Sequence, residues 1–308
     1  FVVVVAVPML LIVGDLTVLR DIRAAQGLSV TDAMLLNGLS TAFVLAVACL
    51  FVTSTLVRPV GQLVAGHRAV SEGELTTRVP VIRDDEVGRV SASFNTMTTI
   101  EQLQASTEAA FHQTVALLAR AAELHDDVTG YHTVRVGAYA RALAERNGES
   151  AAFCEELGTA AQLHDVGKMS INTAILQKPG RLDAEEWAEM QRHTVLGHQI
   201  LAGVARLESA AAIARSHHER WNGTGYPDGL VGTAIPLAAR FTAIADIYDA
   251  LRGARPYKEP MGHDEATAII TRGDDRLDPT RHFDPDLLAL FRRHHGDFEA
   301  IWEEWRAA

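Results

Sequence analysis

Residues 160–168, Ala160-Ala161-Gln162-Leu163-His164-Asp165-Val166-Gly167-Lys168, read as the end of a buried helix that presents chemistry at its last turn. Small and apolar positions lead into it, and an imidazole and a carboxylate then stand side by side. Lys168 follows His164 by four and Asp165 by three, a spacing that projects it from the same helical face. A cation there can hold a phosphate oxygen or assist a leaving group. It can equally satisfy the carbonyls and dipole of a helix C-terminus.

Outward from this stretch, further metal-competent groups recur: His132 upstream, then His193, the pair His217-His218, and Asp246. Imidazole and carboxylate are the ligands that borderline divalent metals accept. Together with His164 and Asp165 they are enough for two adjacent metal sites sharing one carboxylate. The segment His217-His218-Glu219-Arg220-Trp221-Asn222-Gly223-Thr224-Gly225-Tyr226-Pro227 follows a packed helix around Ala211–Ala214. Two adjacent His at a helix end can meet a metal only if the backbone changes direction. Gly223 and Gly225 are expected to supply that freedom through positive φ, with Pro227 stiffening the exit.

These stretches resemble the HD-GYP branch of the HD phosphohydrolases over about residues 123–290. The resemblance also takes in Thr129-Gly130 with His132 and Arg135-Val136, Lys178-Pro179-Gly180 with Leu182, and Glu186-Trp187. It continues through Pro236-Leu237-Ala238-Ala239-Arg240, Asp249-Ala250-Leu251, Arg255-Pro256-Tyr257-Lys258 and His282-Phe283-Asp284-Pro285. It implies hydrolysis of cyclic di-guanylate to the linear dinucleotide, and in some members on to GMP, with iron or manganese as the usual metals. Carried onto this chain, it implies that His132, His164, Asp165 and Asp246 hold one cation. Asp165 would bridge to a second held by His193, His217 and His218. Lys168 would contact the scissile phosphate, Arg255 and Lys258 would clamp the substrate phosphates, and Gly225 and Tyr226 would border the substrate. The mechanism is then in-line hydrolysis by metal-activated water.

Two positions depart from the family pattern. Three-metal members carry a Glu four residues before the first His. Here that position is Val128, with Asp126 and Asp127 out of register, so two metals are expected. The usual Asp after the Trp is Asn222, which keeps a turn-forming side chain without its charge.

The N-terminal part reads differently. Apolar stretches run over about 1–19 and 33–57. The second is long enough for a bilayer-crossing helix, and the first is marginal, with Pro8 and Gly14 inside it. Two membrane spans are expected over 1–57. A signal-like lead before one span and a pair of buried core helices are the alternatives. Arg58, His67 and Arg68 after the second stretch place that side in the cytoplasm, at the inner (cytoplasmic) membrane. Residues 58–99 read as helix, connector, helix. Pro59, the run Asp85-Glu86-Val87-Gly88-Arg89 and Phe94-Asn95-Thr96-Met97 resemble HAMP linkers, which implies a parallel bundle between two chains and hence a homodimer. Ile100, Leu103, Thr107, Ala110, Thr114, Leu117 and Ala121 continue as a weak coiled-coil seam, giving a helical stalk over 100–122 before a phosphodiesterase domain over 123–308.

The expected fold class is therefore all-α: two transmembrane helices, a HAMP linker, a stalk and an all-helical HD-type domain. The formal charge of -11 excludes a general nucleic-acid-polymer coat, though metal ions can still present positive charge to a small anionic substrate. Cys49 and Cys154 suggest neither a disulfide framework nor a Cys-rich zinc site. The chain starts at Phe1 without Met, as a fragment would. Three rival readings remain open: an effector that binds a cyclic dinucleotide without cleaving it, a phosphohydrolase of a different cyclic dinucleotide, and a signalling adaptor.

Overall fold

A computed structural model describes residues 29–126, 131–253 and 260–306. The first apolar stretch, Val128 and the Arg255–Lys258 segment lie outside the described residues. Among the described residues the only β-type pairing is an isolated antiparallel bridge between Asn222 and Val231, and the rest is helix and loop. The chain forms two compact units, residues 1–108 and 109–308.

In the first unit, α1 (Val30–Val52) runs through a π turn (Thr53–Val57) into α2 (Arg58–Ser71). Pro59 accounts for the π turn. Its ring would clash with the carbonyl of Thr55, four residues back, and it has no N–H to donate. The widened turn lets the Arg58 N–H reach the Thr53 carbonyl instead. Ser54 and Thr55 also return their hydroxyls to the Phe51 carbonyl. The stretch from Met34 onward is long and apolar enough to cross a membrane, and the most apolar part of it has no residue buried within the chain.

α3 (Glu86–Asp126) follows the extended connector. Asp85 accepts from the Gly88 N–H at 3.0 Å and so caps α3 from just outside. A Cβ on Gly88 would sit 1.7 Å from the Arg83 carbonyl oxygen, so this turn closes only over a glycine. Asn95 clamps the connector by accepting from the Val79 N–H and donating to the Val79 carbonyl, each at 2.8 Å. Val79 in turn fills the space left by Gly66. The Asp-Glu-Val-Gly and Phe-Asn signatures are thus the contacts that tie connector to helices. Ile100 and Leu103 of the expected seam are exposed.

In the second unit, α3 contributes Val115, Ala119 and Ala122 to the core. The remaining helices are α4 (His132–Asn147), α5 (Ala151–Ala160), α6 (Thr173–Leu176), α7 (Ala184–Gln191), α8 (His193–Leu201), α9 (Glu208–Ser216), α10 (Leu237–Arg252), α11 (His263–Arg272), α12 (Pro279–His282) and α13 (Pro285–Arg306). α4 packs on α5, α10 and α13, and α8 on α9. Tyr139 of α4 is fully buried, stacked on Phe298 at 4.8 Å and edge-on to Tyr248 at 5.2 Å. The decisive 160–168 stretch is not one continuous helix end. α5 stops at Ala160, and two short 3-10 turns, Ala161–Leu163 and Val166–Ser170, carry the chain past His164 and Asp165. The tighter winding lets Gly167 press against α8. A Cβ there would lie 1.9 Å from the His193 carbonyl oxygen.

Candidate metal centre

Four elements and two turns deliver the metal-competent groups to one place. Asp165 sits between the two 3-10 turns and belongs to both of two donor clusters. One comprises Asp165, His193, His217 and His218, and the other His132, His164 and Asp165. Within each, the ligand atoms lie within 4.8 Å of one another. Asp165 Oδ1 is 3.4 Å from His193 Nε2 and 3.7 Å from His217 Nε2, while its Oδ2 is 3.3 Å from His164 Nε2. Asp246 Oδ1 joins the second cluster, 3.6 Å from His132 Nε2 and 3.8 Å from His164 Nε2. All seven sequence-selected donors therefore converge, and the two oxygens of Asp165 face different clusters.

The outer nitrogens explain the orientation of the rings. Nδ1 of His164 donates to the Ala161 carbonyl at 2.8 Å, and Nδ1 of His193 to the Met190 carbonyl at 2.7 Å. Nδ1 of His217 donates to the Ile213 and Ala214 carbonyls, each at 3.1 Å. A carbonyl can only accept, so each Nδ1 carries a proton, and each ring in its neutral form turns a lone pair on Nε2 inward. His132 Nδ1 is held by Asp249 Oδ2 at 2.8 Å, a carboxylate–imidazole pair. Asp249 itself is fixed by a two-pronged ion pair from Arg135 at 2.6 and 2.8 Å.

These buried inward atoms are orphans. His164 Nε2, His193 Nε2, His217 Nε2 and Asp165 Oδ1 have no hydrogen-bond partner. The 3.3 Å approach of His164 to Asp165 lacks hydrogen-bond alignment. Leaving four buried polar atoms unsatisfied costs about 1–3 kcal/mol each, and a divalent cation in each cluster would satisfy them all. The donor set thus fits two cations.

The electrostatics agree. Burial pushes His193 down to about 4 and His218 well below its ordinary value, so both are neutral, ligand-ready imidazoles. Burial also works against a charged His164, but the Asp165 and Asp246 carboxylates outweigh it and raise that ring to about 9. The site draws positive charge to His164. Burial opposes ionisation of Asp165, yet Lys168, with Nζ 2.6 Å from Oδ2, and His164 hold it well below the usual carboxylate range.

The 217–227 segment closes over this centre. Gly223 takes φ 80°, as its role in the turn requires. Gly225 does not adopt positive φ, contrary to the sequence expectation. It is glycine because a Cβ would lie 2.3 Å from the Arg220 nitrogen where the loop folds back on itself. Glu219, buried, accepts from the Asp228 and Leu230 N–H groups at 2.7 and 3.0 Å and locks the loop. Tyr226 then lies 4.9 Å from the His218 ring and 6.2 Å from the half-exposed Trp187. Asn222 accepts from the Thr224 N–H and hydroxyl, a turn that either amide or carboxylate can make, so this departure leaves the loop's local turn in place.

Sequence reasoning missed Asp249, Arg135 and Glu219 as supporting groups. Asp249 was detectable, because it stands three residues after Asp246 and therefore on the same face of α10.

Residues 116–281 match the HD domain family and residues 51–100 the HAMP domain family. A cyclic di-GMP phosphodiesterase of Vibrio cholerae serotype O1 is 39% identical over 257 residues, which are 78% of this chain and 51% of that protein. A 3'3'-cGAMP-specific phosphodiesterase 2 of the same organism is 42% identical over 186 residues, 60% of this chain and 35% of that one. A cyclic di-GMP phosphodiesterase of Thermotoga maritima is 41% identical over 195 residues, 63% and 52% of the two chains. The chain spans about half or less of the length of these relatives.

Proposed function

The chain belongs to the HD domain family, and on that premise we propose that it is a membrane-anchored phosphodiesterase that hydrolyses cyclic di-guanylate. The observation that carries the reading is the pair of donor clusters sharing Asp165, with an unpartnered Nε2 on His164 in one and on His193 and His217 in the other. HD domains bind divalent metals, and this donor set suits two, proposed to be iron or manganese. When bound, such cations supply Lewis acidity toward a phosphoryl oxygen and hydroxide at neutral pH.

The residues of the chain then divide the work. His132, His164, Asp165 and Asp246 hold one cation, and Asp165, His193, His217 and His218 hold the other. Lys168, whose Nζ lies beside Asp165, is positioned to offer its charge to a phosphate oxygen as negative charge develops there. Tyr226 lies against His218 and borders the substrate together with the Gly225 turn. Arg255 and Lys258 are proposed to clamp the phosphates by charge-assisted hydrogen bonds. The product is the linear dinucleotide, and GMP if a second hydrolysis follows.

The chain is proposed to sit in the inner membrane through α1, with its catalytic unit in the cytoplasm. Exposed Val60, Val64, Met97, Ile100 and Leu103 are proposed as the seam of a homodimer. A second reading is favoured by one observation: a relative at 42% identity is named for 3'3'-cGAMP. The test is hydrolysis of cyclic di-GMP, 3'3'-cGAMP and cyclic di-AMP by anaerobically purified full-length chain with manganese or ferrous iron. Fastest turnover on cyclic di-GMP, abolished in the His164→Ala/Asp165→Ala double variant, is the expected result. Preference for 3'3'-cGAMP would move the assignment to the second reading. Binding without turnover in metal-loaded protein would replace both with a non-hydrolytic effector.

A further inference from the structure

α4 begins at His132, one of the seven donors, and its first N–H groups have no partner within the helix. The preceding residue, Tyr131, supplies no side-chain cap. The cap comes from another helix. Glu123, near the end of α3 and only 5% exposed, accepts from the His132 N–H through Oε1 at 2.8 Å and from the Thr133 hydroxyl through Oε2 at 3.1 Å. A carboxylate also suits the positive end of the α4 dipole. Both of its oxygens are engaged, which separates Glu123 from His164, Asp165, His193 and His217, whose inward atoms lack partners. His132 is consequently gripped twice, by its backbone N–H from α3 and by its Nδ1 from Asp249 on α10.

We propose that Glu123 is a positioning residue for His132, so that the packing of α3 against α4 sets how well the His132–His164–Asp165–Asp246 cluster holds its cation. The inference rests on the metal-site reading above. Two bonds of about 3 Å fix the first turn of α4. A small rotation of residues 109–126 about the axis of α3 swings Glu123 away from that turn and frees the His132 backbone. The second cluster draws His193, His217 and His218 from elements that Glu123 does not touch, so the two cations should respond differently.

The test is manganese titration by calorimetry on full-length chain in detergent, alongside turnover of cyclic di-GMP. Wild-type protein should bind two equivalents. In Glu123→Ala one binding step should weaken by about 10–100-fold, the range seen when support around a ligand is removed, while the other step is unchanged. The kcat should fall with little change in KM. Glu123→Gln keeps an acceptor for the His132 N–H and should recover most of the lost affinity, and Thr133→Val should give an intermediate loss. If Glu123→Ala does not fold by circular dichroism, the Gln and Val variants decide. Two wild-type binding steps in Glu123→Ala, even with a lowered melting temperature, would show a purely structural cap and overturn the proposal. Equal loss of both steps, or no rescue by Gln, would overturn it too. Failure of the wild type to bind manganese or cleave any cyclic dinucleotide would instead count against the metal-site reading itself.

Discussion

Each imidazole in the centre is set by what its far nitrogen touches, and that has a measurable consequence at His164. With its Nδ1 proton committed to the Ala161 carbonyl and its ring raised to about 9, His164 binds a second proton in the metal-free protein at neutral pH. That proton stabilises the metal-free fold below the unfolded value of 6.5, a contribution lost as pH rises through about 9. A cation must displace it. Affinity should therefore climb by about tenfold per pH unit between roughly pH 7 and 9 and then level off, read by competition with a chelating dye. His193, at about 4, adds no proton competition in that window. A flat profile would show that His164 carries no second proton in the metal-free protein over this range. The second residue-scale expectation concerns Asp249. Asn at this position keeps the volume but leaves the buried Arg135 without its counter-charge, although the guanidinium still rests over the Trp302 ring at 4.6 Å. Breaking such a pair costs about 3–5 kcal/mol, and metal affinity at the His132 site should fall by about 10–100-fold. Denaturant unfolding and calorimetry measure the two losses separately.

The elements matter because they bring these residues within reach of one another, and the contact between the 166–170 turn and α8 shows how closely they must approach. Gly167 lies where a Cβ would meet the His193 carbonyl at 1.9 Å and the Gly197 nitrogen at 2.5 Å. Gly167→Ala should force α8 outward, carry His193 away from Asp165 Oδ1, and abolish binding at the second site with a stability loss of about 1–3 kcal/mol from overpacking. Metal stoichiometry falling from two to one is the expected readout, and an Ala variant with both equivalents would contradict it. This contact also marks what could be read in the sequence. The candidate donors were legible together because the motifs that hold them resemble a known family, and Lys168 because three residues of helical winding return it to Asp165. The backbone carbonyls of Ala161, Met190 and Ile213 that orient the rings carry no residue identity, so nothing in the sequence announced them. Gly225 was recognised as necessary but for the wrong reason. Steric approach and positive φ both select glycine, and only coordinates tell them apart. The π turn ahead of Pro59 was hidden likewise, since a proline after an apolar run signals a helix start as readily as a distortion inside one.

On the scale of the whole chain, the two compact units should respond independently to cation, because every donor lies in residues 109–308 and none in residues 1–108. The first unit is held by contacts between the connector and α3, such as Asn95 on the Val79 backbone and Arg78 on Thr98 and Gln102, none of which involves a metal-competent cluster. Among its described residues the second holds seven buried, unpartnered polar atoms, four of them in the candidate metal centre, against a core packed around Tyr139, Phe291 and Phe298. A ligand that binds only the folded state at about 100 times its dissociation constant adds about 2.7 kcal/mol. For a unit of this size each kcal/mol moves the melting temperature by about 2–4 °C. Stripping manganese with a chelator should thus lower one calorimetric transition of the detergent-solubilised chain by about 5–10 °C and leave the other in place. The shift should vanish in the His164→Ala/Asp165→Ala variant, whose unloaded clusters give the chelator nothing to remove. Movement of both transitions together would mean that the metal-bearing unit and the membrane-proximal unit unfold as one cooperative body, with α3, the helix that contributes to each, carrying stability from the cation centre back to the HAMP-matching segment.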